Sequence, residues 1–212
     1  VSKSIKTWLI VSNERPSIIN SQAVPYKLNL TIFNNKGIKK NKINCLLEPN
    51  KNLKLCLNKY ISKPKNNMQT YYVRIVRTPI KRGFRGSTRP HFFYQTKKSM
   101  ATLHTQDGAN KFNSLNISIS KNYDKNFIFV INPNNVAVEI QVRVQSLSKS
   151  LGKKEFDYKN LVVLPNGSSL INLNSLNNNF ENHLLHFKSN FPIKCYYIIA
   201  DKKLENLSVD HI

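Results

Sequence analysis

A chain of 212 residues with 40% hydrophobic residues carries enough apolar material for one large domain or two of about 100 residues, which excludes global disorder. Its 33 Lys and Arg against 11 Asp and Glu leave a formal net charge of +22, which brings nucleic acid and anionic surfaces forward as partners. No apolar run reaches the roughly 20 residues of a membrane-spanning helix, and three cysteines form neither a disulfide framework nor a metal-ligand spacing.

Trp8 stands in the first predicted strand and reads as a core anchor. "KLNLTIF" (27–33) then alternates apolar and polar residues with period two, as a half-buried strand requires. Cys45 and Cys56 flank the turn Pro49-Asn50-Lys51 and read as small buried hydrophobes. "YYVRIVRT" (71–78) alternates again; Arg74 and Arg77, at an odd spacing, are expected on opposite faces.

The stretch "RGFRGSTRPHFFY" (82–94) changes vocabulary. Lys, Asn and Ile dominate the chain, as an AT-rich coding sequence would supply them, so most of the Lys excess reads as compositional background. Of seven Arg, five lie between Arg74 and Arg89, and no Asn occurs from Met68 to Ala109. Arg82, Arg85 and Arg89 offer planar forks for carboxylate, phosphate or sulfate. Phe84, Phe92 and Tyr94 could stack on a ring or on those forks. With His91 and His104, which flank the predicted aromatic strand, these residues form the candidate ligand-binding set, and "GFRGST" (83–88) ahead of that strand reads as a loop inserted into a rigid scaffold. Contact with a neighbouring module is the structural alternative for the same arginines.

"MATLHTQ" closes the first half, "GANKFNSL" joins it to the second, and a similar order of features follows. "VEIQVRV" (138–144) answers "KLNLTIF". Pro165-Asn166 answers Pro49-Asn50, Leu173-Asn174 answers Leu57-Asn58, and Pro192-Ile193-Lys194 answers Pro79-Ile80-Lys81. This predicts an internal repeat of two tandem β-sandwich modules, 1–108 and 114–212, each of about seven short strands. Strand, turn, a strand ending L-x-P-N-x-x and a further strand together resemble immunoglobulin-like accessory modules, without the Cys–Trp–Cys core of true immunoglobulin domains.

The five histidines do not suggest a metal or a cofactor. His183 and His186 have an odd spacing on a predicted strand and point to opposite faces. No nucleophile elbow, zinc-protease helix or phosphate-cradling loop occurs, so no enzyme is expected. The expected function is non-enzymatic recognition of an anionic partner (an acidic glycan, a phosphate group or an acidic protein surface) through residues 82–94. Nucleic-acid binding by the whole basic charge is the alternative, and a His-lined enzyme ranks third.

Overall fold

The computed structural model describes residues 5–14, 23–61, 69–80, 89–105, 114–120, 124–148, 152–174 and 182–211. Arg82, Phe84 and Arg85 lie outside the described residues. The protein is all-β, with four antiparallel sheets. No helix among the described residues is long and apolar enough to cross a membrane.

In the first half the strands are β1 (Lys6–Ser12), β2 (Tyr26–Asn34), β3 (Lys39–Leu47), β4 (Asn52–Cys56), β5 (Tyr71–Pro79), β6 (His91–Gln95) and β7 (Met100–His104). They form one sheet in the order β4-β1-β6-β7 and a second in the order β3-β2-β5. The predicted alternation is realised in β2: Leu28, Leu30 and Ile32 are buried, while Lys27 is exposed. They meet Leu9 and Val11 of β1 in one apolar cluster. Burying each such side chain is worth about 1.5–3 kcal/mol. Truncating one to alanine costs about 2–5 kcal/mol, because a cavity is left behind.

The second half comprises β8 (Ser114–Ser120), β9 (Lys125–Ile131), β10 (Val138–Ser148), β11 (Gly152–Val163), β12 (Ser168–Asn172), β13 (Asn182–Ser189), β14 (Lys194–Ala200) and β15 (Leu207–His211). Its sheets run β12-β9-β14-β15 and β11-β10-β13-β8. Ile128, Val130, Val142, Val144, Leu185 and Phe187 belong to a second apolar cluster. Adding eight to each strand number of the first half reproduces the second, except that β8 is extra and lies beside β13. In both halves consecutive strands, β1 and β2 or β9 and β10, fall in different sheets. The immunoglobulin constant arrangement instead pairs its first two strands.

The correspondence reaches single side chains. Buried Asn13 donates its amide to the carbonyls of Val24 and Leu47, at 3.0 and 3.1 Å. Buried Asn132 donates to those of Val136, Val163 and Leu164, at 2.7, 2.9 and 3.1 Å. Asn58 accepts the Thr7 amide and donates to the Ile5 carbonyl; Asn174 accepts the Asn126 amide and donates to the Asp124 carbonyl. Asn13 and Asn132 thus satisfy backbone groups that burial would otherwise leave without partners. Asn50 and Asn166 have φ of 58° and 54°, the left-handed conformation that Asn tolerates in a turn.

Two turn contacts join the halves. The turn after β2 meets the turn before β12: the Ser168 amide donates to the Asn35 carbonyl at 3.0 Å. Gly37, at φ +76°, lies so close there that a Cβ would overlap the Pro165 carbonyl oxygen. The turn between β6 and β7 meets the one between β14 and β15. There Lys98 pairs with Glu205 at 2.6 Å, and Ser99 Oγ donates to the Glu205 carbonyl at 2.9 Å. Hydrogen bonding from the Lys98 ammonium holds the Glu205 carboxyl below its ordinary range.

Trp8 departs from the sequence reading. Its ring is only half-buried, carries the Lys54 ammonium 4.8 Å from its centroid, and donates Nε1–H to Gln95 Oε1 at 3.0 Å. The core positions of β1 are the flanking ones, Leu9 and Val11, because strand side chains alternate.

Candidate functional site

A cavity of about 400 Å³ lies where the first sandwich faces the second half, within the size range of small-ligand sites and at the kind of boundary they favour. Its existence follows from the sheet orders. In the second half β8 pairs with β13 and widens that sheet to four strands. In the first half the corresponding sheet ends at β5, whose only partner among the described strands is β2.

The first half contributes inward-facing Thr7 of β1, Phe92 and Tyr94 of β6, and Leu103 of β7. Opposite them stand Thr70 and the β5 residues Tyr71, Tyr72, Val73, Arg74 and Ile75, lining in succession. A cavity over one face of a strand would touch every second residue. Contact with consecutive residues means that the edge of β5 itself borders the space. The cavity-lining apolar residues Tyr71, Val73 and Ile75 remain half-buried, whereas Leu185 and Phe187 of β13, the strand that β8 flanks, are fully buried.

The second half closes the cavity with the outer face of the β12-β9-β14-β15 sheet. Ile128, Val130 and Cys195 turn into that half's own core, while Phe129, Leu170, Tyr196 and Ile198 turn outward and line the cavity. The Phe129 and Tyr196 rings meet in a tilted arrangement, with centroids 6.4 Å apart. The sheet is therefore apolar on both faces. The signal was present in "NFIFVIN" (126–132) and "KCYYIIA" (194–200), near-continuous apolar runs of the kind found in strands covered on both sides.

Hydroxyls and cationic groups interrupt the apolar wall. Thr7 is 5% exposed, and its Oγ1 has no hydrogen-bond partner among the described residues. Burial pushes the Tyr94 phenol well above the ordinary tyrosine range, with Tyr196 adding to the shift. Burial likewise pushes Tyr196 up to about 12, helped by Tyr72 and Cys195. Both phenols are neutral donors at physiological pH. Arg74, Arg77 and Lys194 supply the basic lining, and His104 borders the cavity at the end of β7, on the face it shares with His91. Arg74 also bonds across the halves, donating to the Pro133 carbonyl at 3.2 Å and to Asn166 Oδ1.

The sequence-predicted residues divide. Phe92, Tyr94 and His104 line the cavity together. His91 is exposed on the outer face of β6, its ring 6.3 Å from that of His104 on the neighbouring strand. Arg89 is exposed. The aromatic strand expected after the inserted "GFRGST" is β6, which holds Phe92 and Tyr94, begins at His91 and is hydrogen-bonded on both sides by β1 and β7. Its aromatic residues continue the alternating pattern of a central strand. Arg74 and Arg77 both line the cavity despite their odd spacing, because the cavity borders a strand edge. Sequence reasoning missed Thr7 and the whole contribution of β9, β12, β14 and β15. Among the described residues no group of three or more His, Cys, Asp or Glu could hold a metal ion.

No protein-family model matches the chain, and no curated protein matches it in sequence. Among solved structures, the crystal structure of Thermotoga maritima 1070 is similar at 16% identity. The likeness covers 50% of this chain and 94% of that one with a TM-score of 0.35, an extent that carries no functional argument.

Proposed function

We propose that the protein is a non-enzymatic binding protein whose cavity between the halves takes a partner with an apolar or aromatic body and an anionic group. The cavity carries this reading. Its wall is largely aromatic and aliphatic, it holds a buried hydroxyl that has no partner among the described residues, and its cationic groups lie on the same lining. Apolar enclosure supplies affinity and a few polar groups fix orientation, the usual division in such sites. Acidic glycans, phosphate groups and acidic protein surfaces all carry a suitable anion.

On this reading the scaffold is two copies of one immunoglobulin-like module, in the broad sense of two antiparallel sheets enclosing a core. The matching strand orders and the matched asparagines support it. One copy is closed by its own extra strand, and the other has no such strand among the described residues and forms the site.

Titration with anilinonaphthalene sulfonate, an aromatic anion, tests the reading against binding by distributed charge. One ionic contact weakens affinity about three- to fourfold between 50 and 200 mM salt, whereas six to ten phosphate contacts weaken it about a thousandfold or more. The expected result is one dye per chain, with the shallow dependence. Reversing the exposed Lys39, Lys40 and Lys42 to Glu should leave the affinity within about twofold. A steep salt dependence, or loss of dye binding in the Lys variant, would favour the nucleic-acid reading.

A further inference from the structure

We propose that the partner enters as an extended polypeptide segment that adds a strand to the free edge of β5. The inference rests on the cavity being a ligand site and names the class of ligand. Four observations carry it. The equivalent edge in the second half, that of β13, is occupied by β8 in an antiparallel ladder from Asn182↔Ser120 to Lys188↔Ser114. The edge of β5 has no strand beside it among the described residues and borders the cavity along consecutive residues. β5 ends in Pro79, a residue that sheets tolerate at edges and not in central strands. Its cavity-side apolar residues keep an accessibility that the equivalent β13 residues have lost.

The chain itself therefore shows what fits. The β8 sequence "SLNISIS" has apolar residues at alternate positions, Leu115, Ile117 and Ile119, which share one face of a strand. A partner segment of this pattern would direct its apolar face into the cavity, against Phe92, Tyr94 and Tyr196. Its backbone would complete the hydrogen bonding of β5, as in other cases of recognition by strand addition. Arg77 and Lys194 on the same lining set a preference for carboxylates at its intervening or terminal positions.

The probe is a synthetic peptide with the sequence of residues 113–120, titrated into the full chain. Two further peptides carry N-methyl groups, one set on the Leu115, Ile117 and Ile119 amides and the other on the Asn116, Ser118 and Ser120 amides. Each keeps every side chain but removes the donors on one edge. The expected result is that one methylated peptide loses at least tenfold in affinity while the other stays within about threefold. Amide exchange in Tyr71–Pro79 should slow on binding the parent peptide. Equal binding by all three peptides, or unchanged exchange in β5, would overturn strand addition. So would self-association of the chain that the peptide dissolves, which would make the edge a contact between copies. If the peptide results fail while the dye still binds one site per chain, strand addition falls and the cavity reading survives.

Discussion

Replacing Thr7 with valine removes a hydroxyl from the cavity wall and leaves almost everything else in place. The backbone amide of Thr7 keeps its 2.7 Å bond to Asn58 Oδ1, and the side chain stays β-branched and suited to a strand. Thr7 is 5% exposed and its Oγ1 has no partner among the described residues, so the hydroxyl bears a desolvation cost of about 1–3 kcal/mol. Relieving part of that cost should stabilise the fold by about 1 kcal/mol. For a chain of this size that raises the melting temperature by roughly 2–4 °C. Urea unfolding should show a higher midpoint with an unchanged slope, the mark of a stability change without a change in exposed surface. Affinity for a partner that bonds to the hydroxyl should fall. A loss of about 1 kcal/mol or more on substitution would refute the reasoning, because it would mean that Oγ1 is already satisfied in the folded protein.

The matched asparagines give a paired test of the two-copy reading. Asn13→Ala and Asn132→Ala each strip buried carbonyls of their donor, and each should cost at least about 2 kcal/mol by urea unfolding; a cost in one half only would count against equivalent roles. The tyrosines set an alkaline limit. Tyr196 titrates near 12 when folded, against about 10 when unfolded, so its contribution is complete below pH 10 and is lost as pH rises towards 12. Stability should fall there by at most about 1.4 kcal/mol per pH unit for this residue, and Tyr196→Phe should flatten the slope; an unchanged slope would place its phenol in solvent.

The all-β class was legible because alternation in "KLNLTIF" and "VEIQVRV" records which side of a strand meets a core. The turns were legible because Asn50 and Asn166 do what few other residues do easily. The site was legible only in part. Phe92 and Tyr94 drew attention through unusual composition and belong to the aromatic strand that the sequence predicted, but nothing in that stretch told which walls they face. Period-two reading asks one question per strand, namely which face is apolar. It cannot register β9 and β14, whose two faces are both apolar because each meets a different half of the molecule. Nor does it register a strand's neighbours: nothing within "YYVRIVRT" records that, among the described strands, β5 has one partner while β13 has two, since that difference arises from a strand supplied elsewhere in the chain.

The central claim is that the space between the halves is the binding site, and Ile198→Phe addresses it most directly. Ile198 lines the cavity from the second half and belongs to neither buried apolar cluster, so a larger ring there fills the space with little disturbance to either core. Calorimetric titration of anilinonaphthalene sulfonate into the wild-type and substituted chains, with melting temperatures recorded beside it, gives the answer. The account predicts at least a tenfold loss of dye affinity with the melting temperature unchanged or raised. Undiminished binding in a fully folded Ile198→Phe protein would contradict it and place the site elsewhere on the molecule.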